Sequence, residues 1–217
     1  MVRLYKFRPL ASGEDLRRAK IIVETGCFWC SRFSELNDPM EGVFTASDTV
    51  AVHRIYNEKN KYRICSFCND KGFQNPLMWG YYANGFKGVA IEVEVDEADV
   101  NGVKYVSDIP DIRNLGDDVE NVLMTKLSLW AHEGEHRFLK DIGKANFYKI
   151  GIVTAVYFGD PYGDVSNKDA VYRDNEHLRK YKELKERIST VMGQHIKQYT
   201  VSLEGCDVKP KEIKINA

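Results

Sequence analysis

The run Gly88 to Val95, G-V-A-I-E-V-E-V, constrains the fold more than any other stretch of the chain. Its β-branched residues suit a pleated backbone, and its late apolar–charged alternation gives one buried face and one wet face. A second run, Ile150 to Phe158, I-G-I-V-T-A-V-Y-F, reads as a buried strand. A chain with two such runs must build a sheet and cover it. Shorter β-like runs occur at Leu4 to Phe7, Cys27 to Ser31, Tyr62 to Phe67, His136 to Leu139, His195 to Leu203 and Glu212 to Ile215, and Asn101 to Val106 is expected to pair with Gly88 to Val95 as a hairpin.

The cover is helical. Ser12 to Val23 has a capping serine at its start and Gly26 to end it. Leu77 to Ala83 reads as a helical turn or a short helix, and Asp117 to Trp130 as a longer helix with Val119, Val122, Leu123, Lys126, Leu127 and Trp130 near one stripe. Asp169 to Met192 is a long amphipathic helix with Leu178, Tyr181, Leu184, Ile188 and Met192 on its apolar side. Asn69 to Pro76 reads as a polar loop, and Asn37-Asp38-Pro39 as a turn. The expected architecture is α+β: a single domain over residues 1–217, with a mixed or antiparallel sheet flanked by helices and a long helix in the C-terminal half.

Composition narrows the partners. The chain has 217 residues, long enough for a sizeable core, and a net charge of -1. That balance gives no whole-protein attraction to nucleic acid or anionic lipid, although a local basic patch leaves nucleic acid open as a partner. No apolar run approaches the roughly 20 residues that cross a bilayer, and the N-terminus lacks the apolar region of a secretory signal. A cytoplasmic, reducing location is expected, and an odd count of five cysteines argues there against a disulfide framework.

Four of those cysteines form two C-x-x-C pairs, Cys27 with Cys30 and Cys65 with Cys68. Such pairs bind zinc when a knuckle turn brings both thiolates to one metal, and they exchange with disulfides in redox proteins. Both pairs here lie in β-like runs, where residues i and i+3 point to opposite faces, so buried core is the competing reading. The second constellation is W130-A-H-E133-G-E135-H-R137. In an extended segment Glu133, Glu135 and Arg137 share one face. The carboxylates can bond ribose hydroxyls or stabilise a developing cation, and the guanidinium can clamp a phosphate. Cross-strand ion pairs on a wet face are the plain alternative. The aromatic segment M78-W-G-Y-Y-A offers Trp79 and Tyr82 for stacking or for core, and Glu41 is expected to pair with Arg8 or Lys6. No P-loop, G-x-G-x-x-G or G-x-S-x-G occurs.

The motifs L4-Y-K-F-R8, F33-S-E-L-N-D-P-M-E41, C65-S-F, L77-M-W-G-Y-Y-A with G88-V-A-I, and K126…W130…E133-x-E135-x-R137 follow one another in that order. Together they resemble domain-of-unknown-function family 2971, a mainly bacterial family without a settled activity, over nearly the whole chain. Cys30 and Cys68 depart from it, standing where an aromatic and a serine are expected, so zinc is not implied as a family property. A looser resemblance is to the ADP-ribosyltransferases, which place an arginine or histidine on a first strand, small polar residues on a later one and E-x-E further on. Arg8, Ser66 and Glu133-x-Glu135 come in that order. The resemblance implies NAD as substrate, Arg8 and Arg137 on phosphate, Glu135 as the catalytic residue, Glu133 assisting, and Trp79 or Tyr82 stacking. Asn37, Asp38 and Ser66 complete the expected ligand-binding set. The alternatives are a non-catalytic module for a nucleotide or nucleic-acid end, and a zinc-stabilised interaction domain using Cys27, Cys30, Cys65 and Cys68. The convergence of these residues in one site decides between ligand site and scaffold.

Overall fold

The computed structural model describes residues 1–36, 38, 40–141, 145–163 and 175–213. The β-rich runs assemble into an eight-stranded sheet: β1 (Val2–Pro9), β3 (Arg63–Cys68), β4 (Gly88–Val95), β5 (Asn101–Gly102), β8 (Glu135–Lys140), β10 (Gly151–Gly159), β11 (Lys197–Glu204) and β12 (Asp207–Glu212). Their spatial order is β12-β11-β10-β4-β1-β3-β8-β5. β10 and β11 run parallel and the other neighbours antiparallel. Two small ladders flank this sheet: β2 (Cys27–Trp29) with β9 (Phe147–Lys149), and β6 (Lys104–Val106) with β7 (Thr125–Leu127).

Alternation along each strand sends neighbouring side chains to opposite faces. On one face Leu4, Cys65, Phe67, Ile91, Val93, Val156 and Phe158 meet α1 (Gly13–Thr25), through Leu16, Ala19, Ile22 and Val23, and α6 (Glu176–Ser189), through Tyr181, Leu184 and Ile188. α1 begins where the Ser12 hydroxyl accepts a hydrogen bond from Asp15 N–H and ends at the left-handed Gly26. On the other face Tyr5, Phe7, Cys68, Ala90, Ala155 and Tyr157 pack against α3 (Asp70–Phe73) and α4 (Pro76–Tyr82) through Phe73, Met78 and Trp79. A third cluster joins α2 (Thr49–Lys59) and α5 (Val119–Leu123) through Ile55, Val119, Val122 and Leu123 to Tyr62 and Ile64.

The α+β architecture matches the expectation from sequence, but several elements differ. Asn101 to Val106 does not pair with β4, because both edges of β4 are taken by β1 and β10. Its two halves instead become β5 beside β8 and β6 beside β7. The helix expected over Asp117 to Trp130 stops at Leu123; the chain then forms β7 and a 3-10 turn over Ser128–Glu133. Asn69 to Pro76 is no plain loop: Asn69 Oδ1 accepts from the N–H groups of Lys71 and Gly72 and starts α3. α2, capped by Asp48, had no counterpart in the sequence reading. The last strand is β12 rather than Glu212 to Ile215, whose final two residues lie outside the described range, as do residues 169–174 of the long C-terminal-half helix. Among the described residues no helix is long and apolar enough to cross a membrane.

Candidate functional site

Two glycines set the site. Gly134 ends the 3-10 turn with φ +53, and a Cβ there would meet Asn69 Oδ1 at 2.2 Å. A Cβ on Gly72 in α3 would meet the Glu133 carbonyl oxygen at 2.1 Å. The absent side chains let α3 close against the turn, and Asn69 N–H donates to Gly134 O at 3.0 Å. The left-handed kink at Gly134 means that Glu133 and Glu135 are not alternate residues of one strand: Glu133 ends the turn and Glu135 opens β8. Both carboxylates nevertheless reach the same ammonium.

That ammonium is Lys126 on β7. It donates to Glu133 Oε2 at 2.6 Å and to Glu135 Oε2 at 3.2 Å. Arg137 donates to both oxygens of Glu135, from Nε at 2.8 Å and Nη2 at 3.0 Å. Its Nη1 lies 2.6 Å from Glu41 Oε1 and also donates to Leu123 O. Tyr82, from α4, donates to Glu133 Oε1 at 2.6 Å. The Tyr105 hydroxyl accepts from Glu135 N–H at 2.9 Å, and Ser66, opposite Arg137 in the register, lies near enough to help lower the Glu135 carboxyl. The charged members are 1% (Arg137), 3% (Glu133), 5% (Glu41, Glu135) and 6% (Lys126) exposed. Within this set three carboxyls face two cations, and the buried Lys59 ammonium acts on Glu41 from outside it.

The environment splits the carboxyls. Burial pushes Glu135 up, but Arg137, Lys126 and Ser66 outweigh it and hold the group down at about 2. For Glu41 burial wins over the attraction of Arg137, and its carboxyl titrates above the ordinary range. Burial and the hydrogen bond to Glu133 both push the Tyr82 hydroxyl up. Lys126 and Arg137 stay charged, since their carboxylates outweigh the burial that opposes charge. At the rim, Trp130 lies 4.9 Å from the Lys126 ammonium, and His132 stacks on it with ring centroids 6.1 Å apart.

The cluster gathers Glu133, Glu135, Arg137, Ser66 and Tyr82 from the expected set. Asp38, in the loop that carries Glu41, lies close enough to raise the Tyr82 hydroxyl; its Oδ2 is enclosed without a hydrogen-bond partner among the described residues. Asn37 lies outside the described residues. Arg8 does not join. It shares the strand face of Leu4, whereas Tyr5 and Phe7 face the other way with Cys68, and the registers Ser66↔Arg137 and Cys68↔Glu135 put the cluster on that other side. Arg8 instead lies near Cys65, Asp15 and Arg18. Trp79 does not stack on a ligand: it is 0% exposed, its indole donates to Phe73 O at 2.9 Å, and its ring stacks on Phe86. Glu41 pairs with Arg137, not with Arg8 or Lys6.

The four cysteines do not form a zinc site, and no group of three or more metal-ligating side chains occurs among the described residues. Alternation separates each pair. Cys30 is buried with Phe28 while Cys27 is partly exposed, and Cys65 and Cys68 belong to cores on opposite faces. Sequence reasoning missed the central role of Lys126, counted there as one position of a helical stripe. A lysine inside an apolar stripe is itself the signal, since a buried ammonium demands carboxylate partners. A separate cavity of about 310 Å³, lined by Asn84, Lys87, Tyr162, His177 and Lys180 among others, contains none of the cluster. No family model, no curated protein and no solved structure matches the chain.

Proposed function

We propose that the protein binds a nucleotide-like small molecule over the carboxylate cluster and acts on NAD as an ADP-ribosyltransferase-like enzyme. The observation that carries this reading is the gathering of the Glu41, Glu133 and Glu135 carboxyls around Lys126 and Arg137, shut away from water beside half-buried Tyr82, Ser66 and Trp130. A preorganised negative site in low dielectric favours a group that gains positive charge, as the ribosyl carbon does when nicotinamide leaves. Glu135, held ionised by both cations, supplies the field. Glu133, tied to Tyr82 at the edge, meets the ribose. Arg137 is engaged by carboxylates on both sides and orients Glu135, so phosphate is not its partner. The test is a melting curve with and without NAD, followed by nicotinamide release. NAD should raise the melting temperature, and Glu133→Gln should remove release while keeping the shift. Identical melting curves at saturating NAD would exclude the reading.

A second reading has its own support. Both glutamates already have full sets of partners, as expected of a non-catalytic module that recognises a nucleotide or nucleic-acid end with the rim alone. Saturable binding with the nucleotide recovered intact after long incubation would select it.

A further inference from the structure

On the opposite face of β3 the two C-x-x-C motifs meet each other rather than a metal. Ser31 and Ile64 form an isolated antiparallel bridge and exchange both hydrogen bonds, Ser31 N–H to Ile64 O at 2.9 Å and Ile64 N–H to Ser31 O at 2.8 Å. One residue further along, the same register sets Cys30 directly opposite Cys65. Cys30 N–H turns away, to Asn146 O at 2.7 Å, as the alternation of an antiparallel ladder requires. Cys30 and Cys65 therefore occupy a non-hydrogen-bonded cross-strand position. Cα atoms there stand about 4.5 Å apart, inside the roughly 4.4–6.8 Å that a disulfide spans. Both side chains face the same core, at 0% and 1% exposure, and the two thiols are near enough to shift each other's titration, while Cys30 Sγ donates to Phe28 O at 3.8 Å.

We propose that Cys30 and Cys65 are a redox site, reduced in the structure described, that hydrogen peroxide closes into a cross-strand disulfide. In the first step the Cys65 thiolate attacks a peroxide oxygen, the O–O bond breaks, and the departing hydroxide takes up a proton to become water. The Cys30 sulfur then attacks the Cys65 sulfenic sulfur, and the hydroxide that leaves takes the Cys30 proton as a second water. Two thiols lose two electrons and two protons, and the peroxide is reduced to two waters.

The surroundings equip Cys65 for the attacking role. Arg8 Nε is enclosed beside it without a hydrogen-bond partner among the described residues. Lys6 approaches from the same strand face, its ammonium donating to Ser66 O at 2.7 Å. Burial pushes the Cys65 thiol up, but the neighbouring Cys30 thiol and the charges of Lys6 and Arg8 bring it below its ordinary value, while Cys30 is pushed up by that same neighbour and by burial. One thiolate beside one thiol is the arrangement the second step needs. β2 is only three residues long and pairs with a three-residue strand, so local opening at this edge gives a small oxidant access. The segment the bond would close carries Glu41, so oxidation tethers the stretch of chain that brings Glu41 to Arg137.

The experiment uses the full chain, reduced, exposed to hydrogen peroxide, then blocked with maleimide in denaturant and mapped by peptide mass spectrometry. The expected result is a Cys30–Cys65 linked peptide pair, lighter by two hydrogens and reversed by dithiothreitol. Cys30→Ala should lose the link and leave Cys65 open to capture by dimedone as a sulfenic acid. Arg8→Met should move the pH midpoint of cross-linking upward, because it removes a cation that favours the Cys65 thiolate. Maleimide on both Cys30 and Cys65 after peroxide treatment of the unaltered chain, or a link within either C-x-x-C motif instead, would overturn the proposal. That readout is independent of whether NAD binds.

Discussion

Arg8 and Arg137 are both arginines on interior strands of the same sheet, yet they live in opposite electrostatic worlds. Arg137 is sealed among Glu135, Glu41 and the Leu123 carbonyl, and its charge is favoured despite burial. Arg8, through the sheet on the α1 side, has an enclosed and unmatched Nε, and burial makes its charge less favourable. β3 runs between these regions and serves both. Its Cys65 faces the side where cations outnumber carboxylates, and its Ser66 faces the side where carboxylates outnumber cations. The excess on each side indicates what that side can hold: a thiolate on one, a developing cation on the other.

The largest effect should come from breaking the paired arginine. Arg137→Met leaves Glu135 and Glu41 buried without the guanidinium that joins them, and should cost about 3–5 kcal/mol, the range for removing one partner of a buried ion pair; urea unfolding measures it. An unchanged midpoint would mean that the cluster is open to water.

Next is acid. The Glu135 carboxyl is held at about 2 against its ordinary 4.5, so its contribution is present above the ordinary value and lost as pH falls from there toward the folded one. Glu41 has the opposite sign: its carboxyl is raised, so protonation on acidification relieves a cost. Glu135→Gln should therefore flatten the acid limb of a stability-against-pH curve, and Glu41→Gln should steepen it. The two curves coinciding would refute the split between the two carboxyls.

Tyr82→Phe removes one hydrogen bond to Glu133 from a half-buried hydroxyl. It should cost about 1–2 kcal/mol, at the low end for bonds to charged groups. Any NAD-dependent melting shift should shrink with it. The smallest effect belongs to Arg8→Met. Removing a buried guanidinium whose Nε has no hydrogen-bond partner among the described residues should leave the melting temperature nearly unchanged or slightly raised, and a loss as large as that of Arg137→Met would erase the contrast between the faces.

Local chemistry made part of this legible in the sequence. The β-branched run of β4, the serine cap and terminal glycine of α1, the apolar stripe of α6 and the opposed faces of each C-x-x-C pair follow from backbone geometry and side-chain shape within a few residues. Glu133, Glu135 and Arg137 were recognisable as a group, although the strand face assumed for them was wrong at Gly134. The Asp117 to Trp130 stripe misled because its 3.6-residue pattern was broken after Leu123 by a buried lysine seeking carboxylates further along the chain.

By itself, then, the sequence determined an α+β chain with its main strands and helices, and an acidic–basic motif rich enough to seek partners. Tertiary structure alone decided which distant residues meet: Glu41 with Arg137, Lys126 between two glutamates, Cys30 across from Cys65, and Arg8 on the far side from the site expected to hold it. The reason is register. A strand's side chains alternate with a period of two, so a slip of one residue in pairing exchanges the faces, and that pairing is set by the whole sheet and its covering helices rather than by neighbours in sequence.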